Sequence, residues 1–241
     1  MSASQHGAVQ RGDRELVATA GAVLHHLGLV DYLGHCSLRV PGTEQIVIKP
    51  KHSRQTRSPG QLGPDDMIVI DLDGKVLEGK DDEKPPAEAF IHTEIYKARP
   101  DVNAVVHTHQ PMGTLLGVIG ADLLPVLHVP SVICDKGHIE TWDCPLLVTN
   151  PDLGEQLATA LGGASLCHLV GHGIVAVADD LRKATVAAVA LEQLATANLE
   201  ILKTGRTPRV ITPEELETLA QTLAPVDGRW AYYVQRLEEA A

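Results

Sequence analysis

The stretch Val105-Val106-His107-Thr108-His109 ends an apolar run and carries two histidines that alternate with one small residue. In a β-strand, side chains two positions apart point to the same face, so His107 and His109 would project together. Two imidazoles at the end of one strand can hold a divalent metal ion. Two unrelated polar residues at a strand terminus would give the same pattern, so the rest of the chain has to decide between these interpretations.

The composition is typical of a globular α/β protein. The chain has 241 residues, of which 44% are hydrophobic, and this is enough to bury a core in one large domain or two small ones. The net charge of −11 and the lack of a basic stripe argue against nucleic acid and anionic membranes as partners. The sequence has no apolar run of about 18 residues, so it predicts no membrane span.

The N-terminus and the cysteines indicate a compartment. Residues 1–14 are polar and lack the apolar core of a signal peptide. The four cysteines form no CxxC pair, which in a chain of this size is typical of reduced thiols. The sequence therefore predicts a cytoplasmic protein.

Hydrophobic periodicity and turn residues predict helices and strands in mixed order. Hairpins such as the one at Asp73-Gly74 are interspersed with helices, which favours one layered α/β domain over a doubly wound parallel sheet. Strands are predicted at 33–40, 45–49, 67–72, 75–77, 102–107, 165–170 and 174–177, and strands or loops at 125–129, 139 and 146–148. Helices are predicted at 14–27, 87–98, 113–119, 152–161, 181–202, 212–223 and 228–239.

A third metal ligand is needed, because a catalytic metal usually has about three protein ligands and one open position. The best candidate is His172, which lies between Gly171 and Gly173 in a turn between two apolar strands. Glycines let the backbone bend sharply there, although a polar turn residue would fit the same place. The other histidines considered are interpreted as core or surface residues: His25, His26, His128, His138 and His168.

Glu88 is the acid/base candidate. It follows two prolines at the start of a helix, where it shares a face with His92. A carboxylate near a metal can coordinate it or move a proton, but a first-turn glutamate that complements the helix dipole explains the position equally well. A metal with one carboxylate suits aldol cleavage, epimerisation through a retro-aldol step, and decarboxylation.

Several motifs together resemble the class II aldolase/adducin family, the group of L-fuculose-phosphate aldolase and L-ribulose-phosphate 4-epimerase. They are spread in order over residues 15–205. The matching segments are Gly34-His35-Cys36-Ser37-Leu38-Arg39, Asp71-Leu72-Asp73-Gly74, Glu88 through Ile91-His92 to Ile95-Tyr96, Ala98-Arg99-Pro100-Asp101-Val102, Ala104-Val105-Val106-His107-Thr108-His109, Gly171-His172-Gly173 and Leu191-Glu192-Gln193-Leu194-Ala195.

The resemblance implies a three-layer α/β fold with a central, mostly antiparallel β-sheet flanked by helices. We expect a single domain over residues 1–241, with a core at about 15–205 and a helical tail at about 212–241. The resemblance also implies a homotetramer with sites between subunits. It places a divalent ion, Zn or Mn with Fe or Co as alternatives, on His107, His109 and His172, with Glu88 as the acid/base.

The departures from the family pattern bear on the substrate. In the sugar-phosphate aldolases, a Gly-Asn pair, a Thr-Gly pair and two serines receive the phosphate. Here these positions hold Gly34-His35, Lys51-His52 and Pro86-Ala87, so the hydroxyls and the amide are gone, and a proline also removes a backbone donor. These residues look more like the family's decarboxylase branch, which acts on hydroxylated aromatic or ring-cleaved dicarboxylates.

The resulting hypothesis is decarboxylation of a small-molecule carboxylate through a metal-stabilised enolate. His35 or Glu88 would return a proton to carbon, and the cationic loop at 50–63 would bind the substrate. That loop could equally be a solvated surface segment. The predicted substrate-binding residues are Lys51, His52, Arg54 and Ser37. An aldolase of a hydroxy-aldehyde or hydroxy-acid and an adducin-like binding module without catalysis are the alternatives.

Two C-terminal tyrosines, Tyr232 and Tyr233, complete the expectations. Members of the resembled family often send a C-terminal aromatic residue into the neighbouring subunit's site, and Tyr233 is the candidate for that catalytic role here. Packing of an amphipathic last helix is the alternative explanation.

Overall fold

A computed structural model describes residues 8–53, 57–80, 82–223 and 226–240. Arg54, one of the predicted substrate-binding residues, lies outside these ranges. In the described parts of the chain, eight strands form one sheet in the order β4-β3-β2-β1-β5-β8-β7-β6. The strands are β1 His35–Arg39, β2 Ile46–Ile48, β3 Ile68–Ile70, β4 Val76–Glu78, β5 Ala104–Thr108, β6 Glu140–Trp142, β7 Leu166–Leu169 and β8 Gly173–Ala178.

The sheet is mostly antiparallel, as the family resemblance implies. Each pair of neighbouring strands runs antiparallel except β6 and β7. The helices are α1 Arg11–His26, α2 Ala89–Ala98, α3 Pro111–Val118, α4 His128–Ile133, α5 Pro151–Leu161, α6 Leu181–Lys203, α7 Pro213–Thr222 and α8 Val226–Glu239.

Helices cover both faces of the sheet, so the three-layer α/β architecture is confirmed. One hydrophobic core joins α1, α6 and α8 to one face, and a second joins α2 and α5 to the other. Because side chains alternate along a strand, Ala104 and Val106 of β5 enter the first core and Val105 enters the second. His107 therefore lies on the α2 side of the sheet.

The apolar helix α6 is the central element of the first layer. It has 23 residues, and its length and composition would also suit a membrane span. However, 61% of its most apolar window is buried inside the protein, where it packs against α1, α3, α4, β5 and β8. It is a core helix of this fold.

One region differs from the sequence-based expectation. The apolar segment near 125–129 continues into the short helix α4, whose third residue is Pro130. A proline is tolerated in the first turn of a helix because its missing N–H needs no partner there. Leu146 and Leu147, predicted as strand or loop, lie in a loop with exposed side chains, so the second alternative holds there.

Candidate active site

The site lies where three neighbouring strands end together. In the register of the sheet, His35 of β1 is opposite His107 of β5, and His107 is opposite Val175 of β8. The turn between β7 and β8 closes at the pair Leu169 and Gly173. This arrangement brings the end of β5 and the β7–β8 turn to the same place.

Four side chains converge at this edge, namely Glu88, His107, His109 and His172. Their ligand atoms lie within 4.8 Å of one another. The Nε2 atoms of His107 and His109 are 3.0 Å apart. Two nitrogens at about 2.0–2.1 Å from one ion would be separated by about 3 Å, so this spacing suits a shared metal.

His107 is fully buried, and its ring is held in one tautomer. Its Nδ1 is 3.0 Å from the carbonyl oxygen of Ile174. A carbonyl can only accept, so Nδ1 carries the proton and Nε2 offers a lone pair to the cluster. A hydrogen bond of this kind is typical behind a metal-bound histidine.

His172 reaches the cluster because of the glycines beside it. Gly171 has a φ of +71°, which glycine adopts without strain. A Cβ on Gly173 would lie 2.2 Å from the carbonyl oxygen of Thr108, so only glycine lets β8 approach the end of β5 this closely.

The ring nitrogens of His172 support a metal site. Both are buried and make no well-aligned hydrogen bond in the described residues, although the Glu88 carboxylate lies 3.4 Å from Nε2. Buried polar atoms of this kind are rare without an unseen partner. A metal ion bound to one of these nitrogens would satisfy it, so the residues present fit the ion that the sequence predicts.

Glu88 precedes the first residue of α2, but its side chain does not cap the helix. Its Oε1 accepts a hydrogen bond from the Val148 N–H at 2.9 Å and lies 3.4 Å from Nε2 of His172. Its Oε2 lies 4.0 Å from Nε2 of His107. The carboxylate is therefore directed at the histidines and not at the helix dipole.

The charge states suit metal binding. Burial alone would raise the pKa of Glu88, but the His172 ring and the Val148 N–H hold that pKa below its ordinary value. Burial, together with neighbouring histidines, lowers the pKa of His107 and of His109. His107 and His109 thus present neutral imidazoles beside one carboxylate, and imidazole and carboxylate are donors that Zn²⁺ and Mn²⁺ accept.

A second group of polar side chains lies between β1 and α2. His35 and Ser37 face the helix, where they contact His92 and Tyr96. The ring centroid of His35 is 5.2 Å from that of His107, so this group adjoins the histidine–carboxylate cluster. Sequence reasoning noted the face that Glu88 and His92 share but assigned no role to His92 or Tyr96. The signal was the spacing of Glu88, His92 and Tyr96, each four residues from the next.

Ser37 is the predicted substrate-binding residue whose place differs most from expectation. Its side chain is fully buried, and its hydroxyl is hydrogen bonded to His92 and Tyr96. A direct contact with substrate would require these bonds to break. The structure therefore favours a supporting role for Ser37 behind His35.

The remaining predicted residues lie at different depths. Lys51 and His52 are exposed, and the His52 ring is 5.3 Å from the ring of Tyr32. Their role toward substrate stays a prediction. Tyr233 is only 6% exposed and packs in the core shared by α1, α6 and α8, whereas Tyr232 is exposed. The described contacts of Tyr233 do not include the histidine cluster, and its role in a neighbouring subunit stays a prediction.

Lys49 is a cation that sequence reasoning missed. It is 8% exposed, and its Nζ donates to the Tyr32 carbonyl at 2.8 Å. Burial lowers its pKa to about 8. It also lies close enough to His35 and His109 to lower the pKa of each.

The fold and the cluster define an α/β protein with a site that could hold a metal ion, and comparison with known proteins gives the family. A model described as Class II Aldolase and Adducin N-terminal domain matches residues 15–199, and the chain belongs to this family.

Its relatives catalyse related reactions. A 3,4-dihydroxyphthalate decarboxylase from Arthrobacter keyseri is 31% identical over 201 residues, which cover 80% of this chain and 80% of the relative. A 5-methylthioribulose-1-phosphate/5-deoxyribulose-1-phosphate aldolase from Rhodospirillum rubrum is 31% identical over 160 residues, which cover 66% and 70%. Both relatives are lyases, and the chain is an enzyme of this lyase family.

A solved structure supports the fold. The crystal structure of an aldolase II superfamily protein from Pseudomonas syringae matches with a TM-score of 0.81 at 21% identity. The match covers 99% of this chain and 96% of that one. The two chains therefore share the same architecture throughout.

Proposed function

We propose that this protein is a divalent-metal-dependent lyase that decarboxylates a hydroxylated aromatic or ring-cleaved dicarboxylate. The observation that carries the proposal is an imidazole, His35, beside the metal-binding cluster, at a position where the resembled sugar-phosphate aldolases have an amide for phosphate. A relative of similar length, 80% of which is covered, is named a 3,4-dihydroxyphthalate decarboxylase.

His107, His109 and His172 would hold the ion, with Glu88 as a fourth ligand or as a nearby base. A divalent ion bound there would polarise a hydroxyl or oxo group of the substrate and stabilise the negative charge that develops as the carbon–carbon bond breaks. The exclusion of water around the fully buried His107 strengthens these interactions.

Decarboxylation needs one proton at carbon. When the bond to the carboxylate breaks, CO₂ leaves without the electron pair, and the carbon that keeps the pair takes up a proton. Glu88 and His35 are the two titratable groups that the sequence analysis predicts for this protonation step. Glu88 is kept ionised by its surroundings, and we assign the transfer of that proton to His35, whose ring lies beside the cluster.

The substrate carboxylate that remains would need a cation. Lys49 is buried beside His35, and Lys51 and His52 lie in the following loop. Ammonium and imidazolium groups bind carboxylates through charge-assisted hydrogen bonds. By contrast, Pro86 and Ala87, which precede Glu88, carry neither the hydroxyls nor, at Pro86, the N–H that would hold a phosphate.

Aldol cleavage is the second candidate, because a relative of equal identity is named an aldolase of phosphorylated sugars. The same metal-binding cluster serves both reactions, since each breaks a carbon–carbon bond next to an oxygen substituent. We further propose a cytoplasmic homotetramer with sites near subunit boundaries.

The deciding experiment uses purified protein stripped of metal and reloaded with Mn²⁺ or Zn²⁺. We expect CO₂ release from 3,4-dihydroxyphthalate, loss of activity with chelator, and recovery on metal addition. His107→Ala should abolish turnover, and the surface variant His138→Ala should not.

The contrary outcome is equally clear. If the reloaded enzyme releases no CO₂ from hydroxylated dicarboxylates but cleaves 5-deoxyribulose 1-phosphate to an aldehyde, the aldolase function replaces the decarboxylase. If the protein binds neither Mn²⁺ nor Zn²⁺, the metal-dependent mechanism is wrong.

A further inference from the structure

Four buried side chains form a continuous hydrogen-bonded chain behind the metal-binding cluster. Nδ1 of His35 lies 2.7 Å from Nε2 of His92, and Nδ1 of His92 lies 2.6 Å from Oγ of Ser37. Oγ of Ser37 lies 2.8 Å from the Tyr96 hydroxyl. Each of the four residues is at most 3% exposed, so solvent does not replace these links.

Two backbone carbonyls at the Tyr96 end bear on the direction of these hydrogen bonds. The Tyr96 hydroxyl lies 3.1 Å from the carbonyl oxygen of Ser37 and 3.4 Å from that of Asn103. Carbonyls only accept, and we infer that the Tyr96 proton is directed at them; the Tyr96 oxygen then accepts from the Ser37 hydroxyl.

The same direction then passes along the chain. With its proton given to Tyr96, the Ser37 oxygen accepts from Nδ1–H of His92. Nε2 of His92 is therefore a lone pair, and it accepts from Nδ1–H of His35. This leaves Nε2 of His35 without a proton and, in the described residues, without a hydrogen-bond partner.

This order requires each imidazole to carry a single proton. Burial lowers the pKa of His92 to about 3. His92 is therefore neutral near pH 7, and a neutral His35 ring that donates from Nδ1 has no proton on Nε2.

We propose that His92, held by Ser37 and Tyr96, is a positioning residue that fixes His35 in the Nδ1–H tautomer and presents its Nε2 as the acceptor of the substrate's hydroxyl proton. The inference rests on the proposed function only in naming a substrate hydroxyl as the source of that proton. An orienting group behind the base is a common arrangement in catalytic sites.

The proton transfer is balanced. The substrate O–H bond breaks with its electron pair left on oxygen, and an N–H bond forms at Nε2 of His35. The same proton then passes to the carbon whose bond to the carboxylate breaks. The oxygen regains a proton from water as the product leaves.

The first test measures the tautomer directly and needs no substrate. In Zn²⁺-loaded protein with ¹⁵N-labelled histidine, the nitrogen chemical shifts of His35, assigned with His35→Asn, should show a protonated Nδ1 and a bare Nε2. A protonated Nε2 in the unsubstituted protein would overturn the proposal. His92→Leu should release the preference, whereas His92→Gln, whose amide oxygen can accept from Nδ1–H, should retain it.

The second test separates positioning from packing. His92→Leu should lower kcat by about 10²- to 10³-fold with little change in KM, as expected for loss of an oriented base, and His92→Gln should recover most of this loss. His168→Leu changes another histidine that is 3% exposed, away from this chain, and should leave kcat and the His35 tautomer unchanged.

Two results would refute the positioning role. One is equal loss in His92→Leu and His92→Gln when both variants fold and bind metal normally. The other is an equal loss in His168→Leu. If the protein decarboxylates no substrate at all, the proposed function fails, but the tautomer measurement still decides this inference.

Discussion

At the scale of single residues, the ability of the site to bind an ion depends on the orientation of each ligand atom's lone pair. A backbone carbonyl fixes the His107 ring, and a backbone N–H fixes the Glu88 carboxylate. His172 has no such partner, so a bound ion is the group that would hold its ring. A substitution of His172 is therefore the most direct test of metal binding.

We expect His172→Ala to lower the metal content of purified protein from about one ion per chain to well below half, because one of the three nitrogen donors is removed. The matched control is His138→Ala, since His138 is exposed and pairs with Glu140 at the surface. Elemental analysis by mass spectrometry measures both variants. Unchanged metal content in His172→Ala would remove this residue from the site.

The buried His168 predicts how stability depends on pH. Burial lowers its pKa to about 4, so between about pH 4 and 6.5 the unfolded chain binds a proton that the folded chain does not. This contribution to stability is fully present above about pH 6.5 and declines as the pH falls, by about 1.4 kcal/mol per pH unit.

The variant His168→Leu should flatten this decline. Urea unfolding at pH 7, 6 and 5 would show a shallower loss of unfolding free energy in the variant than in the unsubstituted protein. Parallel slopes for the two proteins would mean that His168 is protonated in the folded state.

The residues of the site were partly predictable from the sequence. His107, His109, His172 and Glu88 follow from residue type, spacing and family resemblance, and the structure brings them together. The connection of His35 to His92 was not predictable, because nothing local in either segment says that β1 lies against α2. The burial of Ser37 was missed for the same reason.

At the scale of elements, the site depends on close contact between β5 and the β7–β8 turn. A Cβ on Gly173 would lie 2.2 Å from the Thr108 carbonyl oxygen, so any side chain there must push the strands apart. Most strand and helix positions agree with hydrophobic periodicity. The exception near α4 arose because a short run of β-branched residues with a proline fits both a strand and a first helical turn.

We therefore expect Gly173→Ala to destabilise the fold by about 1–3 kcal/mol and to weaken metal binding, because His172 moves with the turn. The control is Gly163→Ala, since a Cβ there meets nothing within 4 Å. Thermal unfolding and metal titration measure the two effects. Normal metal affinity in Gly173→Ala would show that the strands can separate without moving His172.

At the scale of the whole molecule, the last helix is tied to the first. Tyr233 of α8 is buried in the core with α1 and α6, whereas Tyr232 is 52% exposed. The C-terminal helix is thus part of the folded unit. If Tyr233 serves the site of a neighbouring subunit, it does so from this buried position in α8.

Two variants of Tyr233 separate packing from chemistry. Tyr233→Ala should lower the unfolding free energy by about 3 kcal/mol because a buried ring is lost. Tyr233→Phe keeps the ring, so a fall in its turnover with normal stability would support the predicted catalytic hydroxyl, and unchanged turnover would exclude it. Light scattering in the same experiment would test for a tetramer of the 25.8 kDa chain.

The position of β5 between β1 and β8 also determines at which stage of chain synthesis the histidine–carboxylate cluster can assemble. Its strand partners lie far before and far after it in the sequence, so these pairings are long-range and form slowly. A nascent polypeptide that has emerged only as far as β5 offers two imidazoles and no third. We therefore expect three-histidine binding of an ion only after the β7–β8 hairpin has been synthesised.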